Sequence, residues 1–322
     1  MEFFHKQTSF PFMATRKVWY TLSALLMIGC FVSFATLGLN YAIDFTGGVS
    51  VDVKFSAPID VDKVRAGLTA AGFREPQVQS FGAREVNIRL PPVSESEVRA
   101  ERQAGAASAS EVIRGRIEKA LSGVAPGAEI GQLEVVGSQV GAELRTSAIW
   151  ALSFTLFFIF LYLAFRFHTW RLSAGAIFAV LHDPILVLGV FSVTQTPFDL
   201  PVVAAVLAVI GYSLNDTVVV FDRIRERFEV SRRLDPAIAL DQAINQTLSR
   251  TIMTKVVTAI VVVALLFLGG PVLRGFSEAL LIGIIAGTYS SIYISSAVAL
   301  DFGLKAEHVF PTVKKTAVDH LP

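Results

Sequence analysis

Asp216 is the only charged residue between Leu200 and Phe221, a stretch of twenty-two residues that otherwise has the apolar character of a membrane span. A carboxylate at that depth costs roughly 2.5–3.5 kcal/mol on insertion scales. A chain carries such a group where it faces a protein interior or a water-filled path and works there. Gly211, Tyr212, Ser213, Asn215 and Thr217 surround it with small or hydrogen-bonding groups, the setting of an ion or proton site. The competing reading is an aspartate near the cytoplasmic end of a helix, reaching out to water.

Depth suggests a partner for this carboxylate. At about 1.5 Å of rise per residue, Asp216 lies about 9 Å along the axis from Asp222, an interface residue. The following span runs back from the same loop and opens on Arg250, so the two charges meet if these spans are neighbours. Thr247, Thr251, Thr254 and Thr258 recur near one helical face around Arg250 and offer hydroxyls to a proton or to an arginine–aspartate pair. Arg250 reads equally well as an ordinary topological charge. Lys255 is expected to extend its stem along the helix and place its ammonium at the membrane surface.

His182-Asp183-Pro184 falls about 15 Å from Leu172, near the middle of another span. A histidine beside an aspartate can relay protons near neutrality. The same pair can instead be structural, because Pro184 frees a backbone carbonyl one turn earlier that needs a polar partner. In the last span, Gly283 and Gly287 form a face that admits a close helix, and Tyr289, Ser290, Ser291, Ser295 and Ser296 continue it as a polar seam. That face asks for a close helical partner outside this chain. A lone carboxylate cannot exchange protons with both sides of the membrane, so a second one is expected from such a partner.

The elements that must hold these residues follow from composition. The chain has 322 residues, is 53% hydrophobic and 17% charged, and has a mean hydropathy of +0.57, too apolar for a typical soluble protein. Six stretches are long enough to cross about 30 Å of hydrocarbon: Val18–Leu37, Thr146–Phe165, Leu172–Val193, Leu200–Phe221, Thr251–Leu268 and Ala279–Leu300. Arg16 and Lys17 precede the first, but its apolar run is too long for a signal peptide and no small-x-small cleavage site follows, so it reads as an uncleaved anchor. Basic residues collect before the first span, at Arg166 and Arg171, from Arg223 to Arg250, and after the sixth span, whereas 194–199 has none and 269–278 only Arg274. Both termini are therefore expected in the cytoplasm. Cys30, alone, is a small packing residue, and a net charge of +1 gives no case for nucleic acid.

Between the first two spans lie about a hundred residues of soluble character. Val49, Val51, Val53 and Phe55 alternate with polar residues, as do Val86, Ile88 and Leu90, giving two half-buried strands. Asp60 caps a helix bearing Val61, Val64 and Leu68 and ended by Gly72. A second helix carries Ile113, Ile117 and Leu121; a weak strand near Val78 and a last one at Leu133–Val136 complete a β-α-β-β-α-β order. The run 104–110 is rich in Ala and Ser. Histidine is absent from Phe45 to Phe167, and no metal-ligand cluster, nucleophile-base pair or phosphate-binding glycine loop is found. No metal, cofactor or catalytic residue is expected, and a binding or mechanical role is favoured over enzyme chemistry. The fold class is thus an α-helical membrane protein of six transmembrane helices with an inserted α+β ferredoxin-like external domain. Its expected divisions are an N-terminal segment 1–17, a first span 18–37, the external domain 45–145, spans within 146–300 with a cytoplasmic loop at 222–250, and a tail 301–322.

Several strings resemble one family. Asp44-Phe45-Thr46-Gly47-Gly48, the run Gly211–Glu226, Ile244–Thr254, Leu280–Ser295 and the LHDP around His182 are similar to the SecF family of bacterial protein-export accessory subunits. Ser138 departs from that pattern, which more often has proline there. The resemblance implies a multi-pass protein of the bacterial cytoplasmic (inner) membrane, in the resistance-nodulation-division class. It implies pairing with a SecD-like subunit and use of the proton-motive force to help draw unfolded preproteins through the Sec channel, whose cytoplasmic ATPase begins the work. It also implies proton transport by Asp216 and Arg250, supported by His182, Asp183, Ser213, Asn215, Thr247 and Thr254. The segment Asp44–Gly48 becomes a coupling hinge, because its glycines suit a sharp turn. Two other functions stay open: a proton-coupled small-molecule exporter of the same superfamily, and a passive scaffold for the translocation channel.

Overall fold

The computed structural model describes residues 8–92, 109–124, 127–167 and 169–310. Lys6, the tail beyond 310 and most of the Ala/Ser-rich run lie outside them. After a short 3-10 turn at Met13–Thr15, the elements are α1 (Arg16–Thr36), α2 (Ile43–Thr46), β1 (Gly48–Lys54), α3 (Val61–Ala70), β2 (Gln77–Ser80), β3 (Glu85–Leu90), α4 (Ala109–Ser122) and β4 (Glu129–Val136). They continue with α5 (Ser138–Arg166), α6 (Trp170–Thr194), α7 (Leu200–Val230), α8 (Pro236–Leu268), α9 (Gly270–Tyr289), a π-helical turn at Ser290–Ile294, α10 (Ser295–Asp301) and α11 (Ala306–Val309). The chain divides into a helical unit, Met1–Asn40 with Ala151–Pro322, and a smaller unit, Tyr41–Trp150.

In the smaller unit the sheet order is β2-β3-β1-β4, with every pairing antiparallel. That is the ferredoxin-like arrangement, and it follows from side-chain alternation. Val49, Val51 and Val53 are buried under Val64 and Leu68 of α3 and Ile113, Ile117 and Leu121 of α4. On the other face Asn87 Nδ2 donates to Ser50 Oγ at 2.9 Å and to Asp52 Oδ1 at 2.8 Å. Asp60 caps α3, accepting from the Asp62 amide at 2.9 Å. Chain direction reverses at Gly47 and Gly48, with φ of 72° and 128°. Added Cβ atoms would meet the Ser138 backbone at 2.7 Å from Gly47, and at Gly48 would overlap the Leu90 carbonyl oxygen. Ser138 itself opens α5, so serine in place of proline still gives a helical start.

All six expected spans are helical. Helices within Met13–Thr36, Ser138–Arg166, Trp170–Thr194, Leu200–Val230, Pro236–Leu268 and Val272–Asp301 are long and apolar enough to cross a membrane. The segment 222–250, expected as a loop, is instead helical except for a tight turn at 231–235. Asp235 caps α8 by accepting from the Ala237 amide at 2.9 Å, and Pro236 follows in the first turn, where its missing N–H costs nothing. Burial keeps the extensions helical: Ile224 and Phe228 of α7 and Leu240, Ile244 and Leu248 of α8 form one core with Phe12, Met13, Phe167 and Leu304. The N-terminal strand of chain is tied to α8, with the Met13 amide donating to Asp241 Oδ1 at 2.8 Å and the Phe10 amide to Asn245 Oδ1 at 2.9 Å.

Close helix contacts run through small residues. Cys30 of α1 packs directly over Gly189 of α6, and Gly175 of α6 lies against the Ser295 carbonyl of α10. Gly283 of α9 receives the Val209 side chain of α7. The sequence-based expectation that Gly283 and Gly287 await an outside helix is therefore corrected: α7 of the same chain fills that face.

In the smaller unit, Gly48→Ala meets both a left-handed φ and the Leu90 carbonyl. The substitution is expected to cost about 1–3 kcal/mol, read as faster amide exchange of β1 in the full-length chain. Gly82→Ala, with open space around its added Cβ, leaves that exchange unchanged.

Candidate functional site

Two polar clusters lie inside the helical unit, both built around α7. The first joins α6, α7 and the π turn. Asp183 is fully buried, and its Oδ2 accepts hydrogen bonds from Ser213 Oγ of α7 and, at 2.8 Å, from Ser290 Oγ of the π turn. Its Oδ1 is 3.1 Å from Nδ1 of His182. The helices come this close because Gly287 has no side chain: an added Cβ would stand 3.2 Å from Ser213 Oγ and 3.3 Å from Asp183 Oδ2. A π turn carries one extra residue in the ring, and here it brings Ser290 onto the carboxylate. His182 Nε2 is buried without a hydrogen-bond partner among the described residues.

The second cluster joins α7 to α8. Asp216 is buried, and its Oδ2 lies 2.8 Å from Nζ of Lys255, also buried. The contact is an ion pair, and neither Oδ2 nor Nζ has a well-aligned hydrogen-bond partner among the described residues. One turn before Asp216, the Tyr212 ring stands 4.3 Å from the same ammonium, within cation–π range. Tyr212 Oη donates to the Thr254 carbonyl at 2.9 Å and is 2.9 Å from Thr258 Oγ1. Those contacts set the register of α8 on α7.

This geometry answers which basic residue meets Asp216. Lys255 occupies the position assigned by the depth argument to Arg250, and does not extend to the surface as expected. Arg250 is exposed and attracts Asp216 more weakly than Lys255 does. The reason is side-chain direction. Cβ atoms tilt toward the N-terminus of their helix. On α7 this leans Asp216 away from the 231–235 turn, and on α8 it leans Lys255 back toward that turn, so the two converge. Arg250 leans toward the turn and away from Asp216.

Other expected residues are placed differently. Ser213 belongs to the Asp183 cluster. Asn215 is exposed. The hydroxyls of Thr247 and Thr254 return to their own helix, on the Ala243 carbonyl at 3.0 Å and the Thr251 carbonyl at 3.0 Å. Asp44, Phe45 and Thr46 form α2 ahead of the glycine turn, with Phe45 buried. Residue type alone pointed to Lys255 and Ser290 only weakly; burial at a polar position is their signal. Exposed Ala204, Ala208, Gly211 and Asn215 form a stripe of small residues on α7, beside the face that carries Asp216.

Asp183→Ala removes the acceptor for two buried hydroxyls and leaves them unpaired, at about 1–3 kcal/mol each. Asp183→Asn keeps one acceptor oxygen. Thermal melting in detergent is expected to fall clearly more for alanine than for asparagine; equal losses would dismiss Asp183 as the anchor of the three-helix junction.

Comparison with known proteins gives a consistent result. Residues 116–305 match the family described as protein export membrane protein SecD/SecF, C-terminal, and residues 32–59 match the SecD/SecF GG motif. The chain is 43% identical over 312 residues to the protein translocase subunit SecF of Haemophilus influenzae, covering 97% of this chain and 91% of that protein. It is 43% identical to the Pseudomonas aeruginosa protein of the same description, covering 97% of each. The crystal structure of SecDF, a translocon-associated membrane protein from Thermus thermophilus, superposes with a TM-score of 0.80 at 36% identity, covering 92% of this chain. This chain spans only 39% of the length of that SecDF chain. With that coverage in the family match and in the relatives, the chain belongs to the SecD/SecF family of protein export membrane proteins.

Proposed function

We propose that this chain is the SecF-type subunit of a proton-driven accessory complex for protein export, with Asp216 as its proton-carrying group. The observation that carries the reading is a carboxylate buried in an otherwise uncharged stretch of α7, facing helices rather than water. A group placed there changes its charge whenever it takes up a proton, and the cost of that change in a low-dielectric interior is what can drive helices to repack. Arg250, at the outer edge of the same helix pair, adds a second positive charge to the approach. The paired glycines at 47 and 48, at positive φ and closely packed, are the core of the proposed coupling hinge Asp44–Gly48.

The membrane is the bacterial cytoplasmic membrane, with both termini inside, as the distribution of Arg and Lys between short loops supports. The partners are a SecD-like subunit, the Sec channel and the unfolded preprotein that it conducts. A SecD-like helix finds its place on α7, where Ala204, Ala208, Gly211 and Asn215 leave a small, open face that ends at the level of the Asp216 pair. Its expected contribution is a second carboxylate, because Asp216 is already paired with Lys255 and both oxygens of Asp183 are engaged by Ser213, Ser290 and His182. Cysteines placed at Ala204, Ala208 and Gly211 should crosslink to that helix in the assembled complex. Crosslinks to the SecD-like subunit elsewhere, with none from this stripe, would put the interface on another face.

The Asp216–Lys255 contact also favours a second reading, a passive scaffold in which the pair only holds α7 to α8. Asp216→Asn alone does not separate the two, because it strands a buried ammonium at a cost of up to about 3–5 kcal/mol. The decisive variant is Asp216→Asn with Lys255→Gln, which removes both charges and keeps both shapes. As a carrier, Asp216 predicts that the double variant assembles normally and loses all stimulation of export by the proton-motive force. Full stimulation in that variant, at matched protein levels, would leave only the scaffold.

A further inference from the structure

Lys255 needs a function of its own. An ammonium with a side-chain exposure of 5% on a membrane helix is expensive, and pairing with Asp216 offsets that cost only while the carboxylate is ionised. When a proton binds Asp216, an O–H bond forms on the carboxyl, the three N–H bonds of Lys255 remain, and the pair passes from neutral to a charge of plus one. The surplus charge must be held somewhere. The Tyr212 ring, 4.3 Å from Nζ, is the available acceptor, and its own hydroxyl is anchored on Thr254 and Thr258 so that the ring cannot swing away.

We propose that Lys255 is the resident counter-ion that competes with the incoming proton for Asp216, and that the Tyr212 ring is the position that receives the ammonium when the proton wins. Tyr212 and Asp216 stand one turn apart on α7, so the exchange moves Nζ along α7 while α8 carries it. Among the described residues, the charged and titratable groups around Asp216 are Lys255 and, leaning away on the same helix, Arg250 from α8, and Tyr212 from its own helix. From α6, Asp183 and His182 are separated from it by Ser213, which donates to Asp183. The face of α9 and the π turn packed on α7 brings Gly283, Gly287 and Ser290. Among the described residues Lys255 is the positive charge in contact with Asp216, at 2.8 Å, and its removal has a sign. Without it the carboxyl accepts a proton more readily, because a neighbouring positive charge favours the ionised form.

This inference rests on Asp216 carrying the proton, so its test reads a pH profile rather than activity alone. Proton-driven export is measured across pH in inverted membrane vesicles holding the whole complex, with Lys255→Gln, Lys255→Arg, Tyr212→Phe and Tyr212→Leu. Lys255→Gln is expected to move the half-maximal point upward by about one pH unit, a tenfold lower proton concentration, whereas Lys255→Arg stays near the parent. Tyr212→Leu removes the receiving position and moves the point downward; Tyr212→Phe keeps the ring and does not. Proton-dependent export with an unshifted profile in Lys255→Gln overturns the counter-ion role and leaves the carrier reading intact. If Lys255→Gln does not assemble, the two Tyr212 variants decide: a downward shift in leucine alone supports the exchange, and identical profiles overturn it. Failure of the carrier reading shows separately, as stimulated export in the charge-free double variant.

Discussion

The helical unit is organised around a buried carboxylate and a buried ammonium that lie against each other, Asp216 and Lys255. Asp216 and Lys255 touch at 2.8 Å in the interior, and each is tolerable there only through the other. That condition fixes the register of α8 against α7, since a shift of one residue would rotate one charge out of reach. Tyr212 reinforces the same register from one turn away, using its ring on the ammonium and its hydroxyl on the α8 backbone. The pair is thus both a clamp and the group whose charge a proton would change. A proton taken up at Asp216 would weaken the contact that packs α8 on α7.

The second requirement is close approach. A buried Asp183 with serine donors from two other helices exists only because glycine at 287 lets α9 lie against α7, and Gly283 admits Val209 in the same groove. The π turn then supplies Ser290 at the right azimuth, which an uninterrupted α-helix would have rotated elsewhere. Helices α6, α7 and α9 are accordingly the inner ones, whereas α1, α5 and α8 present most of their apolar surface outward. Outward apolar surface in a membrane protein meets lipid or another helix. The small-residue stripe of α7 is the exception in texture, offering a backbone rather than bulky side chains.

The domain Tyr41–Trp150 obeys simpler rules. Its core is a single layer of Val, Ile and Leu, with Phe55 and Phe73, between one sheet face and two helices, so alternation along β1 and β3 and the three- and four-residue spacing in α3 and α4 build most of it. The extended helices α7 and α8 show the opposite case. Charge density from Arg223 to Arg250 resembles a solvated loop, yet the apolar residues among those charges recur at helical spacing and pack with the N-terminal segment, which the local sequence does not announce.

The sequence by itself determined the number of spans, the β-α-β-β-α-β order of the inserted domain and the presence of an interior carboxylate at Asp216. Each is a local property: apolar length, side-chain period, or one charge in an uncharged run. Tertiary structure decided what the local pattern leaves free. Helical periodicity says which residues share a face, but not which neighbour that face meets, so Gly283 and Gly287 read as an open surface although α7 occupies it. Depth counting placed Arg250 level with Asp216, but opposite Cβ tilts on antiparallel helices brought Lys255 to it instead. A buried charge finds its partner through azimuth, tilt and reach, and those three are set only when the helices have packed.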